Sequence, residues 1–378
     1  MAQDMRPYVV VVIIQVIYTG MFVLSKAALD EGLSPMVFLF YRQAVASAVL
    51  VPLTIGVKWR TSSKLSFMVL FKIFMLSLVG ITVGLNVYHI GLKYTSETVA
   101  SAAFNAIPVI TFFLAFLLRM ETLKIRTSHG IAKAIGVLFC LAGVVIIAFY
   151  VGFTIHPLNH HRLFQPKNGG QSASHSQGEW VKGTFLLFFA NTAWSLWLVA
   201  QGLILKECPS KLLLTTLQCV FSTVQSFIVA IAFERDFTKW KMGFDVRLLA
   251  VVYCALCNAG ISWYLQAWVL QVKGPVFVAM SNPLAIVFTV FAALIILGET
   301  IHFGSILGGI LTVAGLYCVL WGKNKESKII NSSDENAKSR NMDQEVIVPI
   351  DERVVPVDER VVPIDEGVSP DHVSPQKL

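Results

Sequence analysis

Two prolines, each beside polar residues inside an apolar stretch, are the strongest chemical signal in this sequence. Pro108 stands three residues after Asn105, and Pro283 directly follows Ser281 and Asn282. A proline within a helix removes a backbone donor and kinks the helix, which frees carbonyl groups for other partners. Broken helices of this kind flank substrate sites in membranes, although a single proline is also tolerated in an ordinary membrane helix. The matched placement favours a substrate pathway.

Further polar and aromatic residues interrupt the apolar stretches and are predicted to line the same pathway. Taken singly, each is more often an interhelical hydrogen bond or a packing aromatic than a ligand contact. Together they predict a polar, aromatic cavity. The residues are Tyr18, Thr19, Asn86, Tyr88, Asn191, Trp194, Asn258, Trp263, Tyr264 and Gln266.

Two cations lie inside apolar stretches, where a charge is costly. Lys26 and Arg42 either extend to the lipid headgroups or face the cavity, and in the second case they would attract a carboxylate. Glu97, Glu121 and Glu299 stand at the ends of apolar stretches. The sequence therefore predicts no carboxylate proton relay.

Three histidines, His156, His160 and His161, imitate one box of a membrane di-iron enzyme. Such a centre needs several boxes to complete its ligand set, and the other histidines form none. The sequence also contains no GxxxxGKS or GxxxxGKT phosphate loop. We therefore predict no enzyme, no cofactor and no metal site, and keep a histidine-box membrane oxidoreductase as an alternative.

Long apolar stretches must position these residues. The chain is 55% hydrophobic and 14% charged, whereas soluble domains carry about 25% charged residues. A helix that crosses a bilayer needs ~20 apolar residues. The formal net charge is +7, but the basic residues stand in short runs between apolar stretches, so they indicate topology and not nucleic-acid binding. Ten spans are predicted: Tyr8 to Ala28, Met36 to Val57, Phe67 to Leu92, Thr98 to Leu118, Ile131 to Val151, Thr184 to Leu205, Leu212 to Phe233, Leu248 to Gln271, Val276 to Leu297 and Phe303 to Trp321.

The two halves of the chain form an internal repeat. When NVYHIGLKYTSETVASAAFNAIPVITFF is laid over SWYLQAWVLQVKGPVFVAMSNPLAIVFT, Tyr88 pairs with Tyr264 and Pro108 with Pro283. Because each half holds an odd number of helices, the second half must enter the bilayer from the opposite side, which is an arrangement typical of transporters. We predict an all-α polytopic membrane protein with ten transmembrane helices, arranged as two inverted five-helix repeats over residues 8–151 and 184–322.

A glycine pair recurs in each repeat. Gly136 and Gly143 match Gly308 and Gly315 with the same seven-residue spacing. Residues seven apart share one face of a helix, and glycine permits close backbone approach. We predict that these glycines pack helices together.

The remaining segments are polar. Residues 1–7 precede the first span, 152–183 form a histidine-rich linker, and 323–378 form a charged tail that repeats the phrases PIDERVV, PVDERVV and PIDEGVS. The tail has little apolar surface to bury, so we predict that it is disordered and able to recruit a binding partner. Lys and Arg collect on the side of both termini, which predicts cytosolic termini. The basic loop from Arg235 to Arg247 disagrees, because it falls on the outer side.

Several stretches resemble the plant EamA-type branch of the drug/metabolite transporter superfamily, whose members are called nodulin-21-like, walls-are-thin-related or UMAMIT transporters. They are GMFVLSKAAL, SPMVFLFYRQAVA, GLKYTSETVASAAFNAIPVITFFLA, LLRMET and LGETIHFGSILGGILTVAGLYCVLWGK. The resemblance covers roughly Pro7 to Lys323. It implies a ten-helix EamA fold and facilitated export or bidirectional movement of amino acids, with auxin transport in one member.

The leading hypothesis is thus a transporter of amino acids or related small metabolites that works by alternating access. Its predicted partners are a small-molecule substrate and the lipid bilayer, with the plasma membrane favoured over the vacuolar membrane. One alternative is a transporter of auxin or another organic anion. A receptor whose repeats are vestigial is a further alternative.

Overall fold

The structure is a computed structural model of the 378-residue chain. Residues Met1–Ser327 form one compact unit and Lys328–Leu378 a second. Most of the predicted linker and tail lies outside the described residues. The structure describes residues 5–58, 66–95, 99–100, 103–104, 106–120, 127–149, 154–155, 177–208, 210–292, 301–302, 304, 307–322, 324–326 and 329.

Apolar helices build the first unit, and we number them α1 to α10 along the chain. Their bounds are α1 Arg6–Asp30, α2 Pro35–Lys58, α3 Phe67–Leu76 continued by Ser77–Val83 and Gly84–Tyr94, α4 Ile107–Leu117, α5 Ser128–Phe149, α6 Gln177–Glu207, α7 Lys211–Phe233, α8 Val246–Tyr253 continued by Cys254–Ser262 and Trp263–Lys273, α9 Pro275–Ala292, and α10 at 307–322. Among the described residues, α1, α2, α3, α6, α7 and α8 are long and apolar enough to cross a membrane, while α4, α5 and α9 contain shorter apolar helices.

The described residues outside these helices include a short strand pair and a single 3₁₀ turn, Phe237–Trp240. The strands β1, Thr154–Ile155, and β2, Ile301–His302, pair antiparallel. They join the segment after α5 to the segment before α10.

The two prolines occupy different places in their helices. Pro283 lies inside α9, as the sequence predicts. Pro108 lies in the first turn of α4, so it begins a helix where the sequence predicted a kink within one. Proline is favoured there because its missing N–H would have no helical partner and its φ already suits a helix.

Helix pairing relates the first five helices to the last five. α1 packs against α8 and α9, whereas α6 packs against α3 and α4; α2 packs against α7. If every helix of the first half is exchanged with its counterpart in the second half, so that α1 becomes α6, α2 becomes α7, α3 becomes α8 and α4 becomes α9, the same set of packed pairs results. We refer to α1, α8 and α9 as the α1 group, and to α6, α3 and α4 as the α6 group.

A π-helical segment interrupts both α3 and α8. The segments are Ser77–Val83 and Cys254–Ser262, and the repeat that pairs Tyr88 with Tyr264 brings them into register. π-Helical turns are rare and occur frequently at functional sites. The two segments therefore mark equivalent positions in the two halves.

Contacts between helix ends show which connections share a side of the bundle. Lys72 near the start of α3 pairs with Glu207 at the end of α6, with 2.7 Å between Nζ and Oε2. Lys273 at the end of α8 lies 5.6 Å from the ring centroid of Tyr8 near the start of α1. Hence α3 runs antiparallel to α6, and α1 to α8. We call the side of these contacts the N-terminal side, and the opposite one the far side.

The basic loop between α7 and α8 lies on the far side. Tyr41, near the start of α2, donates a hydrogen bond of 2.9 Å to the carbonyl oxygen of Trp240. This placement agrees with the predicted helix parity. Lys239 pairs with Glu234. Asp245 accepts a hydrogen bond from the side chain of Arg247, which holds the pKa of Asp245 below its usual range. Local pairing thus offsets part of the positive charge.

Candidate functional site

A chain of hydrogen bonds between buried, uncharged side chains crosses the centre of the bundle. The hydroxyl of Tyr18 donates to Oε1 of Gln266 at 2.8 Å. Nε2 of Gln266 donates to Oε1 of Gln201 at 3.3 Å, and Nε2 of Gln201 donates to Oε1 of Gln218 at 3.4 Å. We call these four residues the glutamine relay. It joins α1, α8, α6 and α7, which gives polar groups in an apolar bundle the partners they require.

A second polar link joins α1 to α9 beside the helical proline. Nε2 of Gln15 donates to the hydroxyl of Ser281 at 2.8 Å, and Thr19 lies 3.4 Å from the carbonyl oxygen of Ala285. Pro283 stands between these two contacts and leaves the carbonyl group one turn before it without a helical donor. Side chains of α1 therefore bind α9 on both sides of its interruption.

Arg42 on α2 is a buried cation. Only 5% of the residue is exposed, so it does not extend to the headgroups. Its guanidinium interacts electrostatically with Tyr18, Cys219 and Cys254, and its Nε has no hydrogen-bond partner among the described residues. Lys26, in contrast, is partly exposed on α1. Arg42 is therefore the cation placed next to the relay.

Three tryptophans form an aromatic wall beside the relay. The ring centroids of Trp194 and Trp197 on α6 lie 4.7 Å apart, and those of Trp197 and Trp263 on α8 lie 5.6 Å apart. Gly80 in the π-helical segment of α3 makes room for Trp197, since a Cβ there would lie 2.3 Å from the Cβ of Trp197. The wall connects the α6 group with the α1 group.

Three predicted asparagines are buried in the helices around this centre. Nδ2 of Asn191 on α6 has no hydrogen-bond partner among the described residues, and Oδ1 of Asn258 on α8 has none either. Nδ2 of Asn258 donates to the sulfur of Met21 at 2.8 Å. Asn282 on α9 is also buried. Buried amide atoms without a protein partner are unfavourable unless another group binds them.

Other predicted site residues serve local contacts. Asn86 donates to the carbonyl oxygen of Thr82 at 2.6 Å and so binds a carbonyl group of the π-helical segment in its own helix. The ring of Tyr88 contacts His89, with centroids 5.8 Å apart. Asn105 lies outside the described residues.

A cleft of about 280 Å³ opens at the N-terminal side. Tyr264 lines it and is 41% exposed, so this residue does not join the relay although Gln266 is only two positions away. The cleft is lined by Val57, Leu205, Cys208, Ser210, Lys211, Leu212, Tyr264 and Gln271.

Four buried glutamines that the sequence reasoning missed lie on the helices around this centre. They are Gln15, Gln43, Gln201 and Gln218, all buried in long apolar helices. Both amide atoms of Gln43, which follows Arg42, are without a partner among the described residues. The signal was available, because an uncharged polar residue in an apolar helix must face other protein and not lipid.

The described residues contain no group of three His, Cys, Asp or Glu side chains that could hold a metal ion. His156, His160 and His161 lie outside the described residues. Among the described residues, the site contains hydrogen-bonding groups, aromatic rings and the buried cation Arg42.

The sequence is similar to those of known proteins. The chain matches the EamA-like transporter family over residues 5–149 and 181–321. A WAT1-related protein of Arabidopsis thaliana is 46% identical over 338 residues, covering 88% of this chain and 94% of the relative. A second one from the same plant is 39% identical over 348 residues, covering 92% of this chain and 100% of the relative.

A solved crystal structure shares the fold. It superimposes with a TM-score of 0.59 at 15% identity, covering 83% of this chain and 98% of the other. Because the family match covers both halves of the helical unit, the chain is a multi-pass membrane protein and belongs to the EamA-like transporter family.

Proposed function

We propose that this protein moves amino acids or related small metabolites across a membrane by alternating access. The observation that carries the proposal is the buried polar centre, where Tyr18 binds Gln266 and Gln15 binds Ser281 across the two halves of the chain. A site in the middle of the bundle, between repeats that pack on one another, is the arrangement that alternating access requires.

The proposed architecture is ten spans in two inverted five-helix repeats. Support comes from the exchange symmetry of the helix pairs and from the matched π-helical segments in α3 and α8. In this proposal the α1 group and the α6 group rock against each other. The N-terminal side is cytosolic and the membrane is the plasma membrane.

The groups at the centre match the chemistry of an amino acid. Arg42 supplies a buried positive charge for a carboxylate, and a guanidinium binds a carboxylate through two parallel hydrogen bonds. The amide oxygens of Gln15 and Asn258 that have no partner among the described residues are acceptors for an ammonium group. The aromatic wall offers apolar contact for a side chain.

Uptake into proteoliposomes tests the proposal. Purified protein in vesicles would be supplied with labelled amino acids, one at a time, with and without a pH gradient, and protein-free vesicles would be the control. We expect saturable flux of at least one amino acid, which unlabelled substrate inhibits. Absence of such flux for every amino acid would refute the proposal.

An organic anion such as auxin is the second candidate, because the groups that interact electrostatically with Arg42 are Tyr18, Cys219 and Cys254, none of which is a carboxylate. The same vesicles distinguish the two. Saturable movement of labelled auxin without movement of any amino acid would favour the organic anion.

A further inference from the structure

The cleft on the N-terminal side and the glutamine relay share the same helices. On α6, Leu205 lines the cleft and lies one turn after Gln201. On α7, Lys211 lines the cleft about two turns before Gln218, and on α8 Gln271 lines it after Gln266. A helical turn advances about 5.4 Å. Tyr264, two positions before Gln266, also lines the cleft, so the cleft reaches inward to the level of the relay.

The relay lies between the cleft and the buried cation Arg42. Gln201, Gln218 and Gln266 are fully buried, so their three amides fill the space where α6, α7 and α8 meet. Arg42 lies about four turns along α2 from Val57, which lines the cleft, and it interacts electrostatically with the buried thiol of Cys219. A solute that enters the cleft meets the amides before it reaches the cation.

One bond of the relay joins the two helix groups. Gln266 belongs to the α1 group and Gln201 to the α6 group, and their 3.3 Å contact lies where the groups meet. The next bond, from Gln201 to Gln218, is 3.4 Å long. Both exceed the usual 2.7–3.2 Å range, so they are easier to exchange for other partners than the 2.8 Å bond from Tyr18.

We propose that Gln201, Gln218 and Gln266 form the gate between the cleft and the substrate site, a role that rests on the proposed transport function. The gate opens when the α6 group moves away from the α1 group and the amide–amide bonds are replaced by bonds to the solute. Each amide offers both donors and an acceptor, so the gate suits solutes that carry both, such as zwitterions. Nε2 of Gln218, which has no partner among the described residues, provides the first donor for a carboxylate or carbonyl oxygen.

The opening of the gate can be measured with three native cysteines, and the measurement does not require the substrate to be known. Cys208 lines the cleft. Cys219 follows Gln218 and is fully buried, with its thiol 3.9 Å from the carbonyl oxygen of Ala259. Cys140 on α5 is buried in a different cluster and reports on general loosening of the fold.

The test compares labelling rates in purified protein with a small, charged methanethiosulfonate reagent, resolved cysteine by cysteine through mass spectrometry. The variants are Gln201→Ala and Gln266→Ala. The matched control is Gln271→Ala, which removes an exposed glutamine of the cleft from the same helix as Gln266. Both variants lose the bond between Gln266 and Gln201 that joins the two helix groups. Loss of that one hydrogen bond raises the open population by about tenfold, so labelling of Cys219 relative to Cys208 is expected to rise by about tenfold in both variants but not in the control.

Two results would contradict the proposal that the three glutamines form a gate. Labelling of Cys219 that stays at the native rate in both variants would show that the relay does not separate the two spaces. A parallel rise at Cys140 would show that the glutamines only brace the fold. Should the alanine variants fail to fold, Gln266→Met keeps the side-chain length and removes the hydrogen bonds. The readout involves no transported solute, so the gate and the transport function can fail independently.

Discussion

Gly136 on α5 and Gly315 on α10 face each other so closely that a Cβ on either residue would lie 2.6 Å from the carbonyl oxygen of the other. About two turns further along the same face of α5, a Cβ on Gly143 would lie 2.7 Å from the carbonyl oxygen of Gly308. The backbones of the two helices therefore touch along the glycine face of both repeats.

Gly136→Ala should destabilise the protein, because the added methyl group meets backbone atoms that cannot turn away. Overpacking of this kind costs about 1–3 kcal/mol. Thermal unfolding of the purified protein in detergent would measure the change. Gly309→Ala on the same helix as Gly315 is the control, since a Cβ there has no atom within 4 Å. Equal midpoints for the two variants would contradict the predicted contact.

A buried ion pair ties the chain after α10 to α5. Lys133 is only 1% exposed and pairs with Glu326. Replacing Lys133 with Met removes this ion pair, and loss of one member of a buried pair costs about 3–5 kcal/mol. We expect a large fall in the unfolding midpoint, measured in the same way.

The exposed pair of Lys72 and Glu207 is the control for this experiment. Lys72→Met should change stability by only about 0–1 kcal/mol, because solvent screens an exposed pair. A Lys133→Met variant as stable as the Lys72→Met variant would argue against a structural role for the buried pair.

Arg42→Met should weaken transport of carboxylate substrates strongly. A hydrogen bond to a charged group contributes about 1.5–3 kcal/mol, so we expect the half-saturation concentration to rise by roughly tenfold or more. Arg42→Lys should restore part of the affinity, since lysine keeps the charge but not the two parallel donors. Arg235→Met in the exposed loop of the far side is the control. An unaltered half-saturation concentration in the Arg42→Met variant would show that Arg42 does not bind the substrate.

The two prolines should respond differently to substitution. A proline in a helix interior is about 3 kcal/mol less favourable than alanine, whereas one in the first turn is not penalised. Pro283→Ala should therefore raise the unfolding midpoint and lower the transport rate, because the helix loses its interruption at the centre. Pro108→Ala should leave the midpoint nearly unchanged. The same shift in both variants would show that their positions in α4 and α9 do not matter.

The sequence alone determined where several of the helices lie and which residues are unusual within them. The predicted span from Met36 to Val57 corresponds to α2, and the one from Leu212 to Phe233 corresponds to α7. These bounds follow from length and apolar composition, since a helix in lipid must satisfy its backbone internally and expose apolar side chains. Tyr18, Arg42 and Gln266 were singled out because a polar side chain is unfavourable in a helix that exposes apolar side chains to lipid.

Only the tertiary structure decided which polar residues meet. Gln201, Gln218 and Gln266 come from three helices, and their contact depends on how those helices pack, which no local pattern encodes. Tyr264 and Gln266 are neighbours in sequence, yet one lines the cleft and the other joins the relay, because residues two apart on a helix point in nearly opposite directions. A pattern predicts the face of a helix, whereas the partner of that face is set by packing between segments far apart in the chain.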